Sequence, residues 1–375
     1  MKKLLIAFLV VVTVAVVVCS TTCLAGEKAL NITSKQAVLM SQTGEVLFEH
    51  NATEKRPIAS MTKIMTLICT YDAIKDGKVA LDDDVVVSTR ASSMGGSQVF
   101  LQANSTHKLE NLIKSIVVCS ANDSCVAVAE HISGSVENFV DTMNKRAESL
   151  KLRATHFENC TGLPQVNQYS CAIDVAKMMW ELLQNPHYFS CSTIWMEDYK
   201  HPDGRVIGMT NTNKLVKFYN GCDGGKTGYT SEAMHCLSAT AKKGDSRFVA
   251  VVVGAPDSKT RFAEVSALLN YAFANYESKV YLDKNAPVSV DVLGAKVDKF
   301  DAIAKNDLTW FGSKGQMDCV VEYQLEKVCA PIKKGEVVGK ALLVRNGNVV
   351  AETELISTCD VNKKPFVDYL KDIVA

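Results

Sequence analysis

Three short motifs, widely separated along a chain of 375 residues, constrain what this sequence can fold into. They are Ser60-Met61-Thr62-Lys63, Ser120-Ala121-Asn122 and Lys226-Thr227-Gly228. The first pairs a serine with a lysine, the second adds a serine and an asparagine from another element, and the third lies on a predicted strand. Each motif is weak alone. Together they describe a serine acyl-transfer site, so the fold has to bring the three segments together.

The chemistry of acyl transfer explains the spacing of the first motif. A serine hydroxyl is a poor nucleophile and needs an adjacent base. Side chains at positions i and i+3 of a helix share one face, so Ser60 and Lys63 can touch without long-range contacts. Lysine acts as a base only when its pKa falls, which burial and a nearby cation both achieve. We predict that Lys226 is the nearby cation that lowers the pKa of Lys63.

Each motif also has a purely structural interpretation. Roughly one Ser-x-x-Lys string is expected by chance in a chain of this length, and Ser105-Thr106-His107-Lys108 is such a string, interpreted here as a helix N-cap. Ser60 instead precedes the apolar run Ile64-Met65-Thr66-Leu67-Ile68, which predicts the start of a buried helix. Taken alone, Ser120-Ala121-Asn122 fits a helix cap equally well, and Lys226-Thr227-Gly228 fits a turn.

Charge argues against one class of partner, and length indicates the number of domains. The chain has 41 basic and 41 acidic residues and no basic block, so nucleic acid is not an expected partner. Its length exceeds what one hydrophobic core usually takes, which favours two domains.

The N-terminus has the pattern of an export signal. Lys2-Lys3 precede an almost wholly apolar stretch from Leu4 to Cys19, and small residues lead to Ala25. We predict a signal peptide over residues 1–25, cleaved after Ala25, and export to the outer face of the cytoplasmic membrane or the cell wall. The apolar stretch is long for a signal peptide, so an uncleaved anchor stays an alternative.

Thirteen cysteines would suggest disulfides in an exported protein. They are spread singly, with no Cys-x-x-Cys pair and no metal-like Cys/His spacing, so we expect neither a metal nor a cofactor. Several lie in apolar runs (Cys69, Cys119, Cys125 and Cys236), and free cysteine behaves as a small buried hydrophobe.

Hydrophobic periodicity predicts a mixed α/β domain over residues 26–278. Residues 36–50 alternate around a turn and predict a hairpin, helical patterns fill the middle, and strands return at 234–242 and 248–254 before a final helix. This order suits an antiparallel sheet with helices on both faces.

The remaining sequence changes in texture. Short alternating strands and an Asn346-Gly347 turn predict a small all-β domain, sandwich-like, over residues 279–362. The tail, residues 363–375, places Phe366, Val367 and Leu370 on one helical face. It either touches a membrane or packs on the β domain.

Further strings around the motifs carry a family resemblance. They include Arg56-Pro57-Ile58-Ala59 before Ser60, Thr161-Gly162-Leu163-Pro164, and Asp223-Gly224-Gly225 before Lys226. From about residue 28 to about 355 the chain resembles the serine D-alanyl-D-alanine carboxypeptidases, which are low-molecular-mass penicillin-binding proteins. The resemblance implies a β-lactamase/transpeptidase-like fold. It also implies a peptidoglycan stem peptide ending in D-Ala-D-Ala as substrate and acylation by β-lactam antibiotics.

The same resemblance implies a role for each site residue. Ser60 attacks the carbonyl between the two D-alanines, Lys63 takes its proton and Ser120 relays a proton to the leaving D-alanine. The expected substrate-binding residues are Asn122, Lys226, Thr227, Gly228, Tyr229 and Arg261. The backbone N–H groups of Ser60 and Tyr229 would form the oxyanion hole.

Two other functions stay open on the sequence. A β-lactamase shares the three motifs, but one class needs an additional glutamate that acts through a water, and the spacing of Glu158 and Asn159 does not match that pattern. The second is a non-catalytic protein that binds the cell wall or senses β-lactams, and intact Ser60, Lys63, Ser120 and Lys226 argue against it.

Overall fold

The computed structural model describes residues 30–325 and 327–367. The chain divides into two units, residues 1–31 and 32–375, and the fold below is that of the second. The predicted signal peptide, residues 1–25, lies outside the described residues, as does the predicted tail from residue 368 onwards.

The described residues contain nine α-helices, two 3-10 turns and sixteen strands. The helices are α1 Lys63–Lys75, α2 Thr89–Ser92, α3 Leu109–Val118, α4 Asn122–Ser133, α5 Val136–Ser149, α6 Ala172–Leu182, α7 Phe189–Ser192, α8 Leu215–Phe218 and α9 Ser258–Asn275, with 3-10 turns at Ala59–Thr62 and Pro186–Tyr188. The strands are β1 Gln36–Ser41, β2 Val46–His50, β3 Asp84–Val86, β4 Thr106–Lys108, β5 Met196–Lys200, β6 Val206–Thr210, β7 Cys222–Thr230, β8 Met234–Lys243, β9 Ser246–Ala255, β10 Tyr276–Leu282, β11 Val288–Asp291, β12 Lys299–Ala304, β13 Leu308–Ser313, β14 Cys319–Leu325, β15 Val337–Arg345 and β16 Asn348–Ser357. Within these ranges, no helix has both the length and the apolar character needed to cross a bilayer.

A five-stranded antiparallel sheet includes the strand that contains the third motif. Its strand order is β2-β1-β9-β8-β7, so the strand with Lys226 lies at one end. Alternate residues of β9 point to opposite faces, and Val249, Val251 and Val253 join the core that includes residues of α1 and α3–α6. Helix α9 packs on β8 and β9 through the other face, where Val252 and Leu237 are buried. The predicted antiparallel sheet with helices on both faces is therefore confirmed.

Four helix ends have the capping residues that satisfy unpaired backbone groups or end the helix. Ser88, Ser135 and Asp257 cap α2, α5 and α9 by accepting a backbone N–H with the side chain. Helix α4 ends at Gly134, whose φ of 75° is a left-handed conformation that glycine adopts without strain.

The interpretation of Ser105 as a helix N-cap was wrong. Thr106–Lys108 forms β4, which pairs with β3, so the next helix begins only at Leu109 with Lys108 at its N-cap. The Ser105 hydroxyl instead hydrogen-bonds the carbonyl of Gln102 at 2.6 Å and the His107 ring at 2.9 Å.

The C-terminal part is all-β, as predicted. A five-stranded sheet of order β11-β12-β16-β15-β14 and a β10–β13 ribbon enclose a second hydrophobic cluster that includes Val290, Ala302 and Leu343. The Asn346-Gly347 turn joins β15 to β16 with positive φ at both residues, 49° and 75°. The predicted domain boundary between residues 278 and 279 falls inside β10, which runs from Tyr276 to Leu282.

All eleven cysteines among the described residues are free thiols. Cys69, Cys125 and Cys236 are buried, as predicted for small hydrophobic side chains. Cys119 is only partly buried, because it lies where α3 ends beside the second motif.

Candidate active site

Ser60 lies in the 3-10 turn Ala59–Thr62, which leads directly into α1. The sequence predicted Ser60 at the start of a buried α-helix, whereas in the structure it lies one turn before that helix. Ala59, immediately before Ser60, has a φ of 48°, which is uncommon for a residue with a side chain and stores about 1–3 kcal/mol of strain. Such strain is typical of functional turns, where the surrounding structure holds the backbone in place.

Two glycines from distant segments hold this turn. A Cβ atom on Gly162 would lie 2.1 Å from the carbonyl oxygen of Ala59. A Cβ atom on Gly228 would lie 2.6 Å from the carbonyl oxygen of Ile58 and 3.2 Å from the backbone nitrogen of Ser60. Strand β7 and the loop after Thr161 can therefore approach the Ser60 turn only because neither has a side chain there.

Lys63 is fully buried and its amine has three hydrogen-bond partners. The Nζ atom lies 3.0 Å from Ser60 Oγ, 2.7 Å from Asn122 Oδ1 and 2.6 Å from the Thr161 carbonyl oxygen. A neutral amine has two N–H donors and one lone pair. With the N–H groups on Asn122 and Thr161, the lone pair faces the Ser60 hydroxyl. This arrangement suits transfer of a proton from Ser60 to Lys63.

Burial lowers the pKa of Lys63, and it lowers that of Lys226 well below the usual value. The nearby charge of Lys63 lowers the pKa of Lys226 further. Two buried amines that repel one another favour a state in which at least one is neutral. The electrostatic coupling predicted between the first and third motifs is thus seen at Lys226, and burial is the largest cause of the lowered pKa of both amines.

Ser120 occupies a sharp turn between α3 and α4. It is buried and has a φ of 66°, a second left-handed residue with a side chain in this site. Asn122, two residues on, starts α4 and reaches Lys63 with its Oδ1 atom. The structure therefore brings the second motif to the first through a direct hydrogen bond.

The third motif lies on β7, as predicted. Lys226 Nζ donates to the carbonyl of Thr227 at 3.1 Å, and the Thr227 hydroxyl donates to that of Thr212 at 2.8 Å. Arg261, on α9, reaches the same strand and donates from Nη1 to the Gly228 carbonyl at 3.2 Å. Its Nε atom is buried and has no hydrogen-bond partner in the protein.

Tyr229 follows Gly228 at the rim of the site and is 60% exposed. Its ring packs on that of His235, directly across the strand pair, with centroids 4.5 Å apart. Burial and the Arg261 charge lower the pKa of His235, which favours its neutral form.

Sequence reasoning gave no role to several residues that contact the site. Thr161 accepts from Lys63, Thr212 bonds Thr227, and the Gly95 carbonyl accepts from the Asn122 amide at 2.7 Å. Thr161 lies in one of the short strings that carry the family resemblance, and Thr212 lies in another, Asn211-Thr212-Asn213-Lys214-Leu215, so a signal existed for both. Gly95-Gly96 is a weaker signal, since paired glycines also mark ordinary turns.

The described residues contain no group of three or more His, Cys, Asp or Glu side chains that could hold a metal ion. The polar side chains of the site are two serines, two lysines, an asparagine, a threonine and an arginine.

Comparison with known families gives two matches. A family model described as D-alanyl-D-alanine carboxypeptidase matches residues 24–257. A second, described as the C-terminal domain of penicillin-binding protein 5, matches residues 276–363.

Individual relatives agree with these matches. D-alanyl-D-alanine carboxypeptidase DacF of Bacillus subtilis is 39% identical over 343 residues, which cover 90% of this chain and 88% of the relative. DacA of Haemophilus influenzae is 33% identical over 350 residues, covering 88% and 86%. Among solved structures, penicillin-binding protein 5 from Haemophilus influenzae is 32% identical with a TM-score of 0.68, covering 90% of this chain and all of the other.

Proposed function

The chain belongs to the family of serine D-alanyl-D-alanine carboxypeptidases, and we propose that Ser60 is its nucleophile and Lys63 its general base. One observation carries this proposal. Lys63 is buried, its Nζ lies 3.0 Å from Ser60 Oγ, and Asn122 and Thr161 occupy its other hydrogen bonds. The β-lactamase and non-catalytic alternatives are not favoured by any of the relatives.

The reaction then forms an ester at Ser60 and hydrolyses it. Ser60 Oγ bonds to the carbonyl carbon between the two terminal D-alanines, and its proton moves to Lys63. The peptide C–N bond breaks, and the leaving D-alanine nitrogen takes a proton from Lys63 by way of the Ser120 hydroxyl. Water then hydrolyses the Ser60 ester and restores the free hydroxyl. A β-lactam ring acylates the same oxygen.

Substrate binding uses the end of the sheet. Strand β7 is the last strand of the five, so an extended peptide can lie along it as an additional strand. Gly228 lets that peptide approach, and the backbone N–H groups of Ser60 and Tyr229 face the oxyanion at about 3 kcal/mol per donor. Lys226, Thr227 and Arg261 bind the terminal carboxylate, because cations and a hydroxyl suit an anion.

The substrate determines where the enzyme works. Family members act on peptidoglycan, which lies outside the cytoplasm, so we propose export by the signal at residues 1–25. The C-terminal tail and the all-β domain would hold the catalytic domain at the membrane or wall, where stem peptides ending in D-Ala-D-Ala are accessible.

The decisive test is to locate the acylated residue. A Ser60→Ala variant is expected to lose both labelling by a fluorescent penicillin and release of D-alanine from a soluble pentapeptide. Mass spectrometry of the labelled wild type should place the adduct on the peptide that contains Ser60.

Ser105→Ala is the matched control, because Ser105 begins the other Ser-x-x-Lys string and lies at the start of β4. It should keep normal labelling and activity. Labelling that persists in Ser60→Ala, or that maps to Ser105, contradicts the assignment.

A further inference from the structure

Asn122 is held from two sides, and each side fixes one end of its amide. Its Oδ1 atom accepts from Lys63 Nζ at 2.7 Å. Its Nδ2 atom donates to the Gly95 carbonyl at 2.7 Å, and its backbone N–H donates to the Ser97 carbonyl at 2.7 Å. The carbonyl of Gly95 therefore decides which end of the Asn122 amide faces Lys63.

The segment that supplies these carbonyls has little anchorage of its own. Residues 95–97 are exposed and contribute no side chain to the core. Gly96 has a φ of 79°, and a Cβ atom there would lie 2.9 Å from Asn122 Nδ2. The nearest buried residues after the segment are Val99 and Leu101, at 0% and 3% exposure.

Asp123, in the first turn of α4, accepts hydrogen bonds from the backbone that follows this segment. Its fully buried carboxylate accepts from the Val99 N–H at 3.1 Å and from the Leu101 N–H at 3.1 Å. It also accepts from the Ser124 N–H at 2.9 Å. A carboxylate has only acceptors, so both oxygens can serve these three donors, whereas an amide would place an NH₂ group against one of them.

We propose that Asp123 is a positioning residue for the acylation step, acting through the loop of residues 95–101 and the side chain of Asn122. Asp123 makes no hydrogen bond to Ser60 or to the Lys63 amine in the described part of the chain, although its charge raises the pKa of Lys63. It fixes the loop, the loop carbonyls fix the Asn122 amide, and that amide presents Oδ1 to Lys63. The proposal rests on the proposed function, since it concerns the same reaction.

Two variants test the proposal from opposite ends of the loop. Asp123→Asn removes the charge and one acceptor with little change in volume. Gly96→Ala leaves Asp123 intact and pushes directly on Asn122 Nδ2. Each is expected to slow acylation by fluorescent penicillin by on the order of 10- to 100-fold, the scale of a misplaced catalytic group. Each should also move the acid limb of the pH–rate profile to lower pH, because Lys63 loses an acceptor that favours its charged form.

Asp174→Asn is the matched control. Asp174 is also a buried carboxylate that accepts a backbone N–H, that of Ala154 at 2.8 Å, but it lies outside the loop and the three motifs. Its loss should lower the melting temperature without moving the pH–rate profile. In Asp123→Asn, hydrogen exchange should accelerate at the Val99 and Leu101 amides, and in Asp174→Asn at Ala154.

A double-mutant cycle decides whether Asp123 acts through Asn122. In an Asn122→Ala background, adding Asp123→Asn should change the acylation rate by less than about twofold. A full additional loss in that background overturns the proposal. So does an acid limb that moves in Asp123→Asn but not in Gly96→Ala, since the effect would then come from the Asp123 charge alone. If the wild type is not acylated at Ser60, the proposed function itself fails.

Discussion

In the proposed role of general base, Lys63 accepts a proton while it is buried in the protein. Desolvation lowers the pKa of its amine, and the charge of Lys63 in turn lowers the pKa of the buried Lys226. The neutral form is thereby accessible at a lower pH than in free lysine, whose pKa is 10.5. The rest of the site is arranged around this one requirement.

A Lys63→Arg variant should be inactive, because a guanidinium stays charged at every relevant pH and cannot accept the Ser60 proton. In the wild type, the rate of acylation should rise with pH through an apparent pKa below that of free lysine. This pKa belongs to the Lys63–Lys226 pair rather than to one residue. The measurement is penicillin acylation as a function of pH, with Lys299→Arg in the all-β domain as an unaffected control. An active Lys63→Arg variant, or a flat profile, would refute the role of Lys63 as base.

Arg261 leads to a prediction about the substrate. Its buried Nε has no protein partner, and its position on α9 places the guanidinium beside β7. Amidation of the terminal D-alanine should lower kcat/KM on the order of 10- to 100-fold, the value of a charge-assisted hydrogen bond.

In Arg261→Lys, which keeps the charge and loses the planar fork, this preference for the acid should shrink. Equal turnover of acid and amide by the wild type would show that Lys226, Thr227 and Arg261 have another purpose.

At the level of elements, the site depends on how closely three backbone segments approach. The loop at Gly162 and strand β7 at Gly228 enclose the Ser60 turn, and a methyl group on either would overlap backbone atoms. Backbone cannot move aside as a flexible side chain can, so these glycines are required by packing as well as by conformation.

Gly162→Ala should therefore abolish acylation and lower stability by more than the 1–2 kcal/mol that a positive φ costs by itself. Gly44→Ala is the matched control. Gly44 has a nearly identical φ, 81° against 83°, but nothing lies within 4 Å of the added Cβ. Thermal melts and penicillin labelling of both variants give the comparison. Equal effects in the two would mean that the overlap at Ala59 has no consequence.

At the scale of the whole molecule, the chain has two hydrophobic clusters, one in the mixed α/β part and one in the all-β part. They are linked through β10. The Ser278 N–H donates to Ser246 Oγ at 2.8 Å, and the rings of Phe248 and Phe311 lie 6.1 Å apart. The catalytic candidates all precede this strand, and we infer that the all-β domain positions the enzyme rather than contributing to its chemistry.

A variant that ends at Asn275, where α9 ends, should still be acylated by penicillin and cleave a soluble pentapeptide. It should melt at a lower temperature, because Phe248 loses part of its cover, and it should act poorly on intact cell wall. The melt first establishes that the truncated protein is folded. Loss of soluble-peptide activity in a folded truncation would mean that the all-β domain takes part in the site.

The sequence by itself determined the elements and the chemistry. Hydrophobic periodicity is local, so the hairpin at residues 36–50, the helices in the middle of the chain and the strands at 234–242 and 248–254 were predicted near their observed positions. The three motifs predicted a nucleophile, a base and an anion-binding side, because reactive side chains can be recognised by type and spacing. Local pattern failed at Ser105, where pairing of β4 with β3 overrides helix-cap chemistry.

Only the tertiary structure decided how the motifs meet. Three contacts depend on backbone atoms from segments far apart in sequence. They are the hydrogen bond from Lys63 to the Thr161 carbonyl, the packing of Gly162 on the Ala59 carbonyl, and the hydrogen bonds of Asp123 to the 95–101 loop. Apart from proline, every residue has the same backbone carbonyl and N–H groups, so residue type alone does not show which of these groups will contact the site. The lowered pKa of Lys63 has the same origin, because burial is a property of the assembled core and not of the residue.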